Sequence, residues 1–310
     1  MSLSLTKKES FVKKSIVFVG GRPLGARCLN FLLQKNKNVV AVLCREDEYE
    51  SSSSFTTAYN LAIKAGIPVF KKEDELISFL DKKPFMGLCV MYPRKISKEL
   101  LDLPSCGFYN FHGAPLPSYR GNMGHIWAIL NNEKMYGASV HKMTERFDDG
   151  PLLKEYSFPV SVKENGITLH KKAVLFTYKL FCNTVREFEK KEPVLVPQDN
   201  KKAKYYSKEI PNGARLDWSW DAIYLERYIR ALLFDGVLPP FAIYRGKKLH
   251  IKKATPVNSN MNIAIGAIIK KTRKSITVQA GKNALQIFKR DMLLDNISWA
   301  ELELDSSFEV

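Results

Sequence analysis

Three short runs with almost no polar residues punctuate the first ninety positions: Ser15–Gly20 (SIVFVG), Asn38–Cys44 and Met86–Met91 (MGLCVM). A strand with one wet face alternates apolar and polar residues. An unbroken run of strand length is buried on both faces, which happens chiefly in a parallel sheet clad by helices. The intervening sequence supplies the helices. Leu24, Cys28, Leu29, Phe31, Leu32 and Leu33 recur at spacings of about three and four. A Ser/Thr-rich loop precedes a helical stretch at Ala58–Lys64, which Gly66 ends; Ile67–Phe70 is a short strand and Glu73–Asp81 another helix. Glu99–Leu103 is a helical turn closed by Pro104, and Gly107–His112 is a further core strand. The expected fold class is therefore α/β, an open and mostly parallel Rossmann-like sheet occupying residues 1–190.

Past that region the pattern changes. Residues 191–204 are rich in Lys, Pro, Gln, Asp and Asn and read as a linker. Residues 205–310 form a smaller β-rich domain. It opens on a helical stripe within Trp218–Leu233, followed by strand-sized pieces at Pro240–Tyr244, Leu249–Lys253, Ala264–Lys270, Ser275–Ala280 and Ala284–Lys289. Short strands at even spacing suggest a small barrel of the OB-like kind. The 310-residue chain carries a formal net charge of +16, which favours anionic partners without choosing among them. Its five cysteines are scattered without a CxxC pair, and its start has no apolar signal core. Both features point to a reducing, cytoplasmic setting. No apolar run approaches the roughly 18–20 residues that span a bilayer, so no membrane insertion is expected.

Gly20–Gly25 (GGRPLG) lies between a strand and a helix, but its spacing is neither GxGxxG nor a P-loop, although Glu46 and Asp47 fall near the ribose-binding distance. A tight strand-to-helix turn is the simpler reading. The segment Phe108–Leu153 carries more chemistry. Asn110 and His112 are two apart at the end of a strand and so share a face. Strand ends are where open α/β sheets bind ligands. Tyr136–Met143 reads as another strand, whose following loop delivers Asp148 and Asp149 ahead of Gly150. An amide donor, an imidazole and a carboxylate are the parts that acyl transfer to an amine requires.

In this segment the sequence resembles the folate-dependent formyltransferase family, which includes methionyl-tRNA, glycinamide ribonucleotide and nucleotide-sugar N-formyltransferases. The resemblance is carried by Asn110-Phe-His112, by Leu116-Pro-Ser-Tyr-Arg-Gly121 and by Asp148-Asp-Gly150, in that order. It extends to Ala214-Arg-Leu-Asp-Trp218 and to Ile265–Ile269 with Ile276–Val278 in the second domain. It implies 10-formyltetrahydrofolate as co-substrate and a primary amine as acceptor. By the same resemblance, Asn110 stabilises the oxyanion, His112 moves the proton and Asp148 holds the proton network. Arg94, Lys95, Ile96, Glu145, Arg146 and Phe147 match the stretches that hold the pterin, largely through backbone groups. Tyr119 and Arg120 are candidate substrate-binding residues; Arg120 can anchor a phosphate or pin its own loop.

Residues outside this set read as structural. His125 and His141 are assigned to packing or surface, Asp149 to a solvated loop, and Trp218 and Trp220 to packing between domains. The five histidines show no HExxH or H-x₃-H spacing, so no metal is expected. Within the resemblance, transfer-RNA enzymes carry a basic, Gly-rich loop after the second strand. Here Arg45–Thr57 reads REDEYESSSSFTT, and the second domain exceeds what the glycinamide ribonucleotide enzyme has. The expected acceptor is thus a nucleotide-linked amino sugar. Initiator Met-tRNA is one alternative, and a non-catalytic folate- or nucleic-acid-binding role on the same fold is another. The oligomeric state is left open, and a homodimer is compatible with the sequence.

Overall fold

The computed structural model describes residues 15–44, 57–80, 85–190, 192–234, 238–259, 262–294 and 297–310. The acceptor-discriminating loop, apart from Thr57, lies outside the described residues, as do Glu46 and Asp47. Two compact units emerge. One comprises the chain through Gly121 with Gly137–Phe158 and Ala173–Tyr205; the other comprises Asn122–Tyr136, Pro159–Lys172 and Tyr206–Val310. The expected boundary at residue 190 follows the chain, whereas the compact units do not. Helices α5 (Gly124–Leu130) and α7 (Ala222–Ala231) pack on each other, which draws the earlier segment in with the later one.

The first unit is built on a seven-stranded sheet. Its strands are β1 (Ser15–Gly20), β2 (Val39–Leu43), β3 (Val69–Phe70), β4 (Phe85–Val90), β5 (Phe108–His112), β7 (Met135–Lys142) and β8 (Leu152–Pro159), and their order is β3-β2-β1-β4-β5-β7-β8. β6 is the two-residue Arg120–Gly121. The pairs β2–β3, β1–β2, β1–β4 and β4–β5 are parallel, while β7 runs antiparallel to β5.

Side-chain alternation divides this sheet into two cores. Phe18, Val42, Leu88, Tyr109, Phe111 and Val140 project to one face, against α1 (Arg22–Gln34), α2 (Ala58–Lys64) and α6 (Gly166–Glu187). Phe181 of α6 contacts Phe111 edge-on at 4.8 Å and Phe31 at 6.2 Å. Val17, Val19, Leu43, Cys89 and Phe108 project to the other face, against α3 (Glu73–Leu80) and α4 (Lys98–Asp102). The apolar cover on that second face includes nothing from β7. Asn110 and His112 belong to it, at the carboxyl end of β5. Local chemistry places these helices: Pro23 at the first turn of α1, and Thr57 and Ser97 hydroxyls accepting the Asn60 and Leu100 N–H groups at the starts of α2 and α4.

The GGRPLG segment is a tight turn. A Cβ on Gly20 would lie 2.2 Å from the Val90 carbonyl oxygen, so backbone approach from β4 demands glycine there.

The second unit holds two antiparallel sheets, β10-β11-β16 and β12-β15-β14-β13, with β10 Phe241–Tyr244, β11 Lys247–Ile251, β12 Thr255–Val257, β13 Ile268–Lys271, β14 Ser275–Gln279, β15 Ala284–Phe288 and β16 Met292–Leu293. The sequence reading had no strands at β8, β12 and β16 and no helix at α6. Trp218 is fully buried and packs at 5.2 Å on Phe308 within this unit. Trp220 packs against Tyr224 and Tyr228, each at 5.1 Å, in the same unit.

Candidate active site

β5 alternates buried Phe108, Tyr109 and Phe111 with the half-exposed Asn110 and His112. The antiparallel register sets Asn110 opposite His141 and His112 opposite Ser139. The loop after β7 then folds back so that the Asp148 carboxylate meets all three polar rings and amides. Asn110 Nδ2 donates to Asp148 Oδ1 at 3.4 Å and approaches His141 Nε2 at 3.2 Å. His112 Nδ1 lies 3.7 Å and His141 Nε2 3.4 Å from the same Oδ1. The other carboxylate oxygen accepts the Gly121 N–H at 2.9 Å.

Carbonyl partners fix the imidazole tautomers. A carbonyl oxygen only accepts, so His112 Nε2 donates to Tyr119 O at 2.8 Å and His141 Nδ1 donates to Lys142 O at 3.0 Å. In neutral His112 the lone pair is then on Nδ1, beside Asp148. In neutral His141 the lone pair is on Nε2, where it accepts from Asn110. Both hydrogens of the Asn110 amide are thereby directed, one to His141 and one to Asp148. The second bond, at 3.4 Å, is the longer.

Asp148 is 9% exposed. Burial alone would raise its pKa, but His112 and His141 in their protonated forms, with the Gly121 N–H, hold the carboxyl well below the usual carboxylate range. Its backbone sits at φ 55°, a left-handed conformation that Asp adopts more readily than most residues. Gly150 explains the rest of the Asp-x-Gly element: a Cβ there would lie 1.8 Å from the Lys142 carbonyl oxygen. Cys89, paired with Asn110 across the β4–β5 ladder, is buried, and burial pushes its thiol up to about 12, so it is no nucleophile.

The structure brings Asn110, His112 and Asp148 together and adds His141, which sequence reasoning had assigned to packing or surface. The missing signal was register: nothing in the sequence states that β7 runs antiparallel beside β5 with His141 facing Asn110. His125 does behave as a packing residue. It stacks at 4.9 Å on His170 and 5.3 Å on Phe234, and burial lowers its pKa to about 3.

Arg94 and Lys95 are exposed and Ile96 is buried; Glu145, Arg146 and Phe147 are exposed. Lys98 and Glu145, 3.6 Å apart, link the two segments. Tyr119 and Arg120 are 5% and 4% exposed, and the Arg120 guanidinium is engaged within the protein by Gln198, Asn200 and Tyr205. Of the two roles open to Arg120, the observed one is to pin its loop. Asp149 accepts from the Thr144 hydroxyl within its loop. Among the described residues no group of three or more His, Cys, Asp or Glu could hold a metal ion.

A family model described as formyl transferase matches residues 13–185, more than half of the chain, and one described as formyl transferase, C-terminal domain, matches residues 210–292. The chain belongs to the formyl transferase family. As a member it is a formyl-transferring enzyme. A methionyl-tRNA formyltransferase of Alkaliphilus oremlandii (strain OhILAs) is 26% identical over 283 residues, covering 88% of this chain and 90% of the relative. Among solved structures, an N-formyltransferase from Helicobacter canadensis in complex with folinic acid and dTDP-3-aminofucose is 18% identical with a TM-score of 0.71, covering 89% of this chain and 99% of its own. WlaRD, a sugar 3N-formyl transferase, is likewise 18% identical, with a TM-score of 0.72 over 91% of this chain and 98% of its own. At that identity the two structures establish the shared fold: a mostly parallel α/β sheet followed by antiparallel sheets. No helix among the described residues is long and apolar enough to cross a membrane.

Proposed function

We propose that this formyltransferase moves a formyl group from 10-formyltetrahydrofolate to the primary amine of a nucleotide-linked amino sugar, with Asn110, His112 and Asp148 as its catalytic residues. The observation that carries the reading is the meeting of amide, imidazole and carboxylate within 3.4 and 3.7 Å of one oxygen, Asp148 Oδ1, where the helical cover of the sheet stops. The residues present fit a folate donor. Two exposed segments, 94–95 and 145–147, flank the catalytic group and are tied by the Lys98–Glu145 pair. They would hold the pterin mainly through backbone groups, and when bound the folate supplies an activated formyl carbon.

The tautomers assign the proton traffic. His112 Nε2 is committed to Tyr119 O, so Nδ1 is the atom that takes a proton from the attacking amine. Asp148, ionised and 3.7 Å away, stabilises the imidazolium so formed. Asn110 redirects the hydrogen of its 3.4 Å bond toward the formyl oxygen as charge builds there. His141 holds the amide through its second hydrogen. Five free thiols, four of them buried, support a cytoplasmic setting.

The acidic and Ser-rich composition of Arg45–Thr57 supports the sugar acceptor. The similarity to a methionyl-tRNA formyltransferase supports initiator Met-tRNA as the second reading. Incubating the full chain with 10-formyltetrahydrofolate and, separately, dTDP-3-aminofucose and charged initiator tRNA, with products read by mass spectrometry, tests both. Formylated sugar nucleotide is expected. Formylation of the tRNA alone would transfer the conclusion to the second reading, and turnover of neither would overturn both acceptor assignments.

A further inference from the structure

We propose that Gln198 is a positioning residue of the transfer site: together with Arg120 it latches the loop that carries Asp148 and so aims the carboxylate at His112. The inference rests on the roles given above to those two residues. Gln198 lies in the segment that sequence composition marks as a linker, and its neighbour Val196 is tied to Leu152 of β8 by paired backbone bonds, each 2.8 Å.

The Gln198 amide makes four hydrogen bonds. Its Nε2 donates to the Asp148 carbonyl at 2.8 Å and to the Gly150 carbonyl at 2.7 Å. Its Oε1 accepts from Arg120 Nε at 3.1 Å and Nη2 at 2.9 Å. Carbonyls only accept and a guanidinium only donates, so the amide cannot be flipped without losing all four bonds. Only a planar group with two donors and two acceptors meets this demand. Asparagine has the group but is one methylene short, and glutamate keeps the acceptors while losing both donors.

The latch acts where the backbone needs holding. Asp148 sits at φ 55°, a sparsely populated region for a residue with a Cβ, and such conformations persist when the surroundings over-determine them. The strap does this at three carbonyls: Tyr205 Oη donates to Phe147 O at 2.9 Å, and Gln198 holds the next carbonyl and that of Gly150. The anchor is the turn that also serves the catalytic group. Arg120 N–H donates to Lys204 O at 2.9 Å and Lys204 N–H to Pro117 O at 3.2 Å. Tyr119 O and Gly121 N–H of the same turn contact His112 and Asp148. The carboxylate and the imidazole are thus referenced to one rigid stretch, and Gln198 is the side chain that closes the circuit.

Steady-state kinetics of Gln198→Glu, Gln198→Ala, Asp148→Ala and the wild type test this, using 10-formyltetrahydrofolate and whichever of dTDP-3-aminofucose or charged initiator tRNA the wild type turns over. Gln198→Glu keeps the acceptor for Arg120 but turns a carboxylate oxygen toward the Asp148 and Gly150 carbonyls, so its thermal midpoint is expected to fall below that of the wild type. Its kcat is expected to fall about 10- to 100-fold, the usual effect of losing an orienting partner, with KM for the folate changed less than about twofold. Gln198→Ala shows the same loss of kcat together with a lower midpoint. Turnover of Gln198→Glu within about twofold of the wild type, or a loss confined to KM, overturns the latch while Asp148→Ala remains inactive. Normal turnover by Asp148→Ala sinks the reading of the site itself.

Discussion

At the scale of single residues, the site is a competition for one carboxylate oxygen. Asn110, His112 and His141 all address Asp148 Oδ1, and the carbonyls of Tyr119 and Lys142 decide which ring nitrogen can carry a proton. Removing the amide in Asn110→Ala is expected to lower kcat by about 10²–10³, the usual loss for one oxyanion donor, with a smaller change in KM. Rapid-quench measurement of single turnovers distinguishes that loss from slower product release. The depressed pKa of Asp148 also has a sign in stability. Its folded pKa lies below the unfolded value of about 3.9, so its ionised form contributes stability that is present above that value and lost as pH falls through the folded pKa. The urea midpoint of the wild type should therefore fall toward that of Asp148→Asn as the pH drops below about 4. The Asn110–His112 pair was legible because period-two alternation is local. His141 was not, because its role is set by a cross-strand neighbour 31 positions away.

Elements carry the next lesson. The strands β1, β2 and β4 were legible because burial on both faces removes polar residues from them. The β8 strand was not, because seven of its eight residues are partly or fully exposed and it lacks an apolar run. The segment 191–204 looks like a linker by composition. Its polar residues are the ones that hold the Asp148 loop, since buried carbonyls need polar partners. Close backbone approaches make two glycines mandatory. Gly150→Ala drives a Cβ into the Lys142 carbonyl and should displace the loop, lowering kcat by about 10²-fold, as small misplacements of catalytic groups do. Gly20→Ala crowds Val90 and should act on stability, costing about 1–3 kcal/mol as overpacking does, read from thermal or urea unfolding.

At the scale of the whole molecule, the +16 charge attracts any polyanion, so charge alone does not select the acceptor. Salt dependence does. Binding of a sugar nucleotide, with its two phosphates, should give a shallow log–log slope of about −1 to −2, whereas tRNA engaging many phosphates should give a much steeper one. Titrations between low and moderate salt measure it directly. The sequence by itself determined the parallel sheet, the β-rich second region and the pairing of Asn110 with His112 on one strand face, because hydrophobic period and turn chemistry act over a few neighbouring positions. Only the tertiary structure decided which loops close over Asp148, that His141 and Gln198 belong to its surroundings, and that Arg120 is a clamp. Those facts depend on antiparallel register and on hydrogen bonds between residues up to 85 positions apart, which no local pattern encodes.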